Sequence, residues 1–448
     1  MPDPFDLIVV GTGSAGAGAA HRCRKAGWRV AVVDELPYGG TCALRGCDPK
    51  KVLVGAADLL DWQRRMTDHG VAGDARIDWP ALMRFKRSFT DPVPAQREAA
   101  YAKAGITVVH GRARFTGPDR LEVNGDTYQA RHFLLAVGAR PRPLDFAGAE
   151  RLVSSTDFLE LDRLPRRVAF VGAGYISFEF AHVAQRAGAE VTVIGRGRPL
   201  PQFAPALVER LVRYTCDLGI TLRLATEVTA IEEGGGGGIV VRTDRGEPVA
   251  ADVAVHGAGR VAATEGLALD AANVATDARG AVDVNEYLRS TTNPRVYAAG
   301  DAAARPGSLP LTPVAGYEGG IVASNLLEGD HRTPEYRGIP SVVFTIPPLA
   351  RVGLTEVEAQ REGLDVEVKR RETSDWYTNR RVAERCAMFE TLVERGTDRI
   401  VGAHLLGPHA DDVINLFGLA IRQDLGATDL RHQLYAYPTA GSDVAYMV

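Results

Sequence analysis

The chain has 448 residues, enough for two or three domains and a large core. Hydrophobic content of 45%, charged content of 24% and a net charge of -4 fit a globular protein and exclude a broad basic field for nucleic acid. Five cysteines, Cys23, Cys42, Cys47, Cys216 and Cys386, form too sparse and odd a set for a secreted disulfide framework. No segment is long and apolar enough for a membrane span, so no membrane partner is expected. A strand-like run from Phe5 leaves no room for a signal peptide, so a cytoplasmic location is expected.

Phe5 to Val10 is a short apolar run, the pattern of a buried parallel strand. It leads into Gly11-Thr12-Gly13-Ser14-Ala15-Gly16, a helical pattern from Ala17 to Lys25, and a second apolar run from Trp28 to Val33 that ends on Asp34. Strand, glycine turn, helix, strand and acid in this order make a dinucleotide fingerprint. The glycines permit close approach of a pyrophosphate, the helix N-terminus receives it, and the acid accepts from a ribose hydroxyl.

Within a few residues of Asp34 comes Gly39-Gly40-Thr41-Cys42-Ala43-Leu44-Arg45-Gly46-Cys47-Asp48-Pro49-Lys50-Lys51. Two cysteines five apart, behind a double glycine and at a helix start, suit a redox-active disulfide between a flavin and a substrate. A helix N-terminus favours a thiolate. Arg45 would help it and Asp48 would oppose it. The alternative on spacing alone is two ordinary buried thiols. Val52 to Arg65 reads as a helix, and 66–104 as mainly helical and polar.

Short strands are expected at Ile106 to Val109, around Ala113, at Leu121 to Val123 and at His132 to Val137, the last followed by Gly138. Arg167 to Val171 opens a second fingerprint, Gly172-Ala173-Gly174-Tyr175-Ile176-Ser177-Phe178-Glu179, with a helix to Gly188 and a strand from Glu190 to Ile194. That strand ends on Gly195-Arg196-Gly197-Arg198 instead of an acid. Two arginines there suit a 2′-phosphate, hence NADPH over NADH; the alternative is a pair of solvated charges. Two fingerprints imply two nucleotides, with NADPH as donor and FAD as carrier.

A hairpin is expected over Val228 to Thr243, with Gly234 to Gly238 as its tip. Strands at Val253 to Val255 and Val296 to Ala299 lead to Gly259-Arg260 and Gly300-Asp301. After a linker from Arg332 to Pro340, strands at Val342 to Thr345, Val366 to Arg370 and Met388 to Val393 and a helix from Asp411 to Gln423 indicate an α+β domain.

These motifs, together with Leu311-Thr312-Pro313-Val314-Ala315, resemble the pyridine nucleotide-disulfide oxidoreductases such as glutathione reductase, dihydrolipoamide dehydrogenase and mercuric reductase, over nearly the whole chain. The resemblance implies an α/β fold. An FAD domain (1–145, continued at 266–330) would carry the disulfide, followed by an NADPH domain (146–265) and a dimerisation domain (335–448) forming a homodimer. It implies FAD binding by Gly11, Gly13, Ser14, Ala15, Gly16, Asp34, Gly40, Thr41, Lys51, Ala113, Gly138, Asp301 and Thr312. NADPH would bind at Gly172, Gly174, Tyr175, Ile176, Glu179, Arg196, Arg198 and Gly259, with Tyr175 covering the nicotinamide pocket. Cys42 would attack substrate and Cys47 would lie against the flavin. Lys51 would pair with Glu179, with Lys50 as its rival. No resident metal is implied.

Where such enzymes carry His-Pro-Thr and a following glutamate, this chain has Tyr437-Pro438-Thr439 and Ser442; Asp48 also replaces an apolar residue. A phenol, ionising near roughly pH 10, shuttles protons at neutral pH less well than an imidazole. The substrate expected is a small disulfide. Alternatives are a mercuric-reductase-like or quinone acceptor, or a flavin-bound redox sensor with little turnover. The absence of a cysteine after Cys386 counts against mercury capture.

Overall fold

The computed structural model describes residues 4–448, which divide into two compact units. The first takes the chain to Lys50, then Phe85–Arg142 and Arg260–Tyr336; the second takes Lys51–Arg84, Pro143–Gly259 and Arg337–Val448.

The first unit is built on a parallel sheet. Its strands run in the order Thr107–His110, Val30–Asp34, Phe5–Val10 and Asp126–Leu135, and Val296–Ala298 joins the last of these in parallel. Val9 is in register with Val32 on one side and Leu134 on the other. Both faces are covered, which is why these strands read as continuous apolar runs. Ile8, Val10, Ala31 and Val33 enter one core; Leu7, Val9, Val30 and Val32 enter the other. Arg120–Val123 and Ala113–Gly117 extend the sheet antiparallel.

Helix α1 (Ser14–Lys25) packs against the helix Thr312–Glu328. A Cβ at Gly319 would come 2.3 Å from the Ala15 carbonyl oxygen, so the approach requires glycine. Arg22 clamps the pair, donating to the Gly320 carbonyl and to Ser324 Oγ at 3.0 Å each.

The second unit holds a parallel sheet in the order Thr221–Leu224, Glu190–Gly195, Arg167–Val171, Val253–His256, with the helix Tyr175–Arg186 following the second glycine turn. The expected hairpin forms from Val228–Glu233 and Ile239–Thr243, with Gly235–Gly237 in its tip. The C-terminal part is a five-stranded antiparallel sheet covered by the helix Ala410–Arg422. Two of its strands, Leu349–Gly353 and Ile400–Leu406, were not expected from sequence. The second is buried at six of seven positions and so lacks the alternation of a one-sided strand. No helix among the described residues is long and apolar enough to cross a membrane.

Candidate redox active site

The dithiol stretch forms two short pieces of helix, α2 (Gly40–Arg45) and the start of α3 (Cys47–Arg65). The second begins five residues earlier than the apolar pattern suggests. Pro49 lies in its first turn, where a missing N–H has no intrahelical partner to lose, and Asp48 complements the helix dipole there.

This stretch is seated directly on the first glycine loop. Gly40, at φ +72°, lies so close that an added Cβ would be 2.4 Å from the Gly13 Cα. Thr12 ties the loop to Asp34: its N–H and hydroxyl donate to Oδ2 at 2.8 and 2.7 Å, and the Gly39 N–H donates to the Thr12 hydroxyl at 3.2 Å. Gly11, at φ +105°, admits no side chain, since a Cβ would fall 2.3 Å from the Ala136 carbonyl oxygen. Ser14 and Ala15 open α1 behind the loop, and Gly16 is pressed against the Gly11 carbonyl.

Both cysteines are free thiols in this structure, and they are unequal. Cys42 donates toward Cys47, and this hydrogen bond is the main reason the Cys47 thiol is lowered from 9.0 to about 6. Burial opposes the shift; the Thr312 hydroxyl, 3.3 Å from Cys47 Sγ, and the charge of Lys50 support it. Cys42 is raised, first by its hydrogen bond to Cys47 and then by burial. Its sulfur also faces Asp48, 3.9 Å from Oδ1. The two thiols are therefore pushed apart, Cys47 downward and Cys42 upward.

Arg45 does not act as the sequence suggests. Its nearest charge is Asp34, and burial lowers its pKa. Arg260, likewise lowered by burial, faces Asp301. Burial raises Asp301 while Arg260 opposes the rise, so a hydroxyl donated by a ribityl chain would offset a desolvation cost already present. Gly138, at φ +67°, has nothing within 4 Å of an added Cβ. Thr41 is exposed beside Cys42, and Ala113 is a core residue whose strand pairs at Val123. The loop shape, the open Gly138 and the half-buried Asp301 fit FAD.

Sequence reasoning missed Glu318. Fully buried, its Oε2 accepts from the Gly300 N–H at 2.7 Å and its Oε1 from Ser308 at 3.0 Å, fixing the turn that presents Asp301. An acid in the middle of a mostly small and apolar helix, well away from the second acid at its end, Glu328, was the available signal.

In the second unit, Gly172 (φ +112°) abuts Gly257, and a Cβ at Gly174 would meet only the Gly257 carbonyl oxygen at 3.7 Å. Ser177 takes the third small position, where a Cβ at Gly257 would strike its Oγ at 2.0 Å. Gly259, at φ +108°, is open around an added Cβ. These positions fit a second dinucleotide. The Tyr175 hydroxyl lies 2.7 Å from Ser341 Oγ, and its ring is 5.7 Å from that of Phe203. Ile176 is partly buried beside it. Arg196 and Arg198 are exposed; Arg196 lies 3.5 Å from Glu227 and Arg198 donates to the Pro201 carbonyl at 2.7 Å.

The expected Lys51–Glu179 pair is corrected. Lys51 Nζ lies 3.0 Å from Asp411 Oδ2 and 4.0 Å from the Phe344 ring centre, while buried Glu179 accepts from the Phe344 N–H at 2.9 Å. The helix start at Cys47 explains the difference: Lys50 is one turn on from Cys47, and it is the lysine whose charge acts on that thiol. Tyr437 is 80% exposed and His432 is exposed; both belong to the second unit.

Residues 5–319 match the family model described as pyridine nucleotide-disulphide oxidoreductase, and residues 339–448 match that family's dimerisation domain. The chain is 33% identical to glutathione reductase of Burkholderia cepacia, covering 98% of this chain and 97% of that protein. It is 32% identical to mercuric reductase of Streptomyces lividans, over 97% and 94% of the two. Among solved structures, the Cu(II) complex of the HOCl-induced flavoprotein disulfide reductase RclA from Escherichia coli superposes with a TM-score of 0.89 at 26% identity, covering 99% of each chain. With its glycine loops, its paired thiols and these matches, the chain belongs to the pyridine nucleotide-disulphide oxidoreductases, FAD- and NAD(P)H-dependent enzymes of the flavoprotein disulfide reductase type.

Proposed function

We propose that the protein takes electrons from NADPH and delivers them, through Cys42 and Cys47, to a small disulfide, working as a homodimer through its C-terminal domain. The paired thiols carry this reading: they sit on the first glycine loop with the Thr312 hydroxyl 3.3 Å from Cys47 Sγ, and Cys47 is pushed down while Cys42 is pushed up. Bound FAD would pass hydride-derived electrons from the nicotinamide to the sulfur pair. On the chain itself, Cys42 attacks the substrate disulfide, its proton going to the first thiol expelled; the Cys47 thiolate then attacks the Cys42 sulfur, closes the Cys42–Cys47 bond and expels the second sulfur as a thiolate that takes its proton from water. Lys50 and Thr312 hold the Cys47 charge between these steps.

The test is an anaerobic NADPH titration followed in the visible spectrum. A long-wavelength band after two electrons, before the flavin bleaches, supports a live dithiol. Direct bleaching without the band overturns it and turns attention to quinones. A soft metal cation is the second reading for the acceptor, favoured by the likeness to a mercuric reductase and to a reductase solved with Cu(II).

The NADPH preference rests on Arg196 and Arg198. Replacing both by alanine is expected to lower kcat/KM for NADPH by about 10- to 100-fold, since two charge-assisted contacts to phosphate are lost. NADH kinetics should change by less than about twofold. Equal losses with both nucleotides would refute the assignment.

A further inference from the structure

Asp48 is the residue at the dithiol that the proposed relay does not use. It is exposed in the first turn of α3, and its Oδ1 lies 3.9 Å from Cys42 Sγ. Asp48 raises both thiols, whereas Lys50 lowers Cys47 and Arg45 is influenced by Asp34. A fixed negative charge beside the attacking sulfur opposes its thiolate. It also opposes the negative charge that spreads over three sulfurs as the substrate disulfide breaks. The cost vanishes when the acceptor brings its own positive charge to that point.

A second observation bears on the same step. Where the resemblance implies a proton-donating histidine this chain has Tyr437, a weaker proton shuttle at neutral pH, which favours a leaving thiol that needs little acid help. A thiol leaves faster as its pKa falls, and an ammonium group two carbons from sulfur lowers that pKa. One substituent thus answers both features: it pairs with Asp48 and makes the leaving sulfur self-sufficient.

We propose that Asp48 is the specificity-determining residue of the dithiol, selecting acceptors that carry positive charge beside the sulfur Cys42 attacks, foremost disulfides with flanking ammonium groups. The assignment rests on Cys42 being the attacking thiol. The bonds balance without a further reagent. Cys42 sulfur bonds to one substrate sulfur as the other leaves, Cys47 sulfur then displaces the first, and the two electrons of the dithiol reside on the two released thiols.

Two measurements separate this from the disulfide reading itself. In the reduced, FAD-loaded Cys47→Ser protein, Cys42 is modified by methanethiosulfonates bearing either a trimethylammonium or a sulfonate group, releasing methanesulfinate. Reaction at Cys42 is taken as that lost in a Cys42→Ser control, since Cys216 is also exposed. Asp48→Asn should lower the ammonium-to-sulfonate rate ratio about tenfold, while Asp48→Glu should retain it. With wild-type enzyme and NADPH, kcat/KM should fall in the order cystamine, hydroxyethyl disulfide, dithiodipropionate, and Asp48→Asn should flatten the series. A rate ratio unchanged by Asp48→Asn overturns the proposal. A ratio that shifts as expected with no turnover of any of the three disulfides upholds Asp48 and overturns the disulfide reading of function.

Discussion

Replacing Cys47 by serine should lower NADPH-dependent disulfide reduction at least about 1,000-fold, because the mixed disulfide on Cys42 then has no internal thiol to resolve it. Direct electron acceptors of the flavin should be spared. The structure adds a pH signature that a merely structural cysteine would not have. The Cys47 thiolate is stabilised first by the hydrogen bond from Cys42, which brings its pKa to about 6. In the two-electron-reduced enzyme the long-wavelength band should therefore be full at pH 8 and fade as acid protonates Cys47 through about pH 6. Cys42→Ala removes the donor, so the midpoint should move up, toward the ordinary thiol range. A midpoint that stays put in Cys42→Ala would show that some other group stabilises the charge.

The second large effect concerns stability. In the second unit, Arg186 is fully buried and donates through Nε and Nη2 to Asp61 Oδ1 at 3.0 and 2.7 Å; Arg65 Nε donates to Oδ2 at 2.7 Å. Arg186 also reaches the Ile346 carbonyl at 3.0 Å and the His182 carbonyl at 3.2 Å. Asp61→Ala leaves a guanidinium buried without its carboxylate and should cost about 3–5 kcal/mol in urea unfolding. The double replacement Asp61→Leu with Arg186→Met removes the fully buried pair at similar volume, leaves Arg65 to Glu384 at 3.6 Å, and should recover most of that loss. If the double variant is no more stable than Asp61→Ala, the ion pair is not the source of the effect.

Much of the site was legible because nucleotide binding imposes local rules. Gly11, Gly16, Gly172 and Asp34 stand where a strand–turn–helix unit needs them, at spacings that recur in the sequence even though Gly11 and Gly172 also abut distant backbone at Ala136 and Gly257. The lysine assignment failed for a reason that is also local. The apolar pattern starts at Val52, whereas the helix starts at Cys47 because Asp48 and Pro49 are good first-turn residues despite lacking an apolar period. With the earlier start, Lys50 and Lys51 take different faces, and Lys51 turns to Asp411. Glu318 and the strand Ile400–Leu406 stayed hidden because burial on all sides erases the polar–apolar alternation that sequence reading relies on. Asp48 could be seen as a departure, but its 3.9 Å approach to Cys42 required the turn at Gly46 to be folded.

The contact between Gly13 and Gly40 has a bearing on how such a chain can change over generations. The nucleotide loop and the dithiol stretch touch through bare backbone, at a separation that would not accommodate even one methyl group on Gly40. The constraint runs one way: a side chain at Gly40 would strike the Gly13 backbone, whereas a Cβ at Gly13 would meet Gly40 only at an ordinary 3.8 Å. Gly40 is therefore the position that ties the dithiol stretch to the loop. Any attempt to transplant the redox pair onto another nucleotide-binding scaffold must carry the loop with it, while the exposed positions around it, Asp48 among them, are left open to diversify.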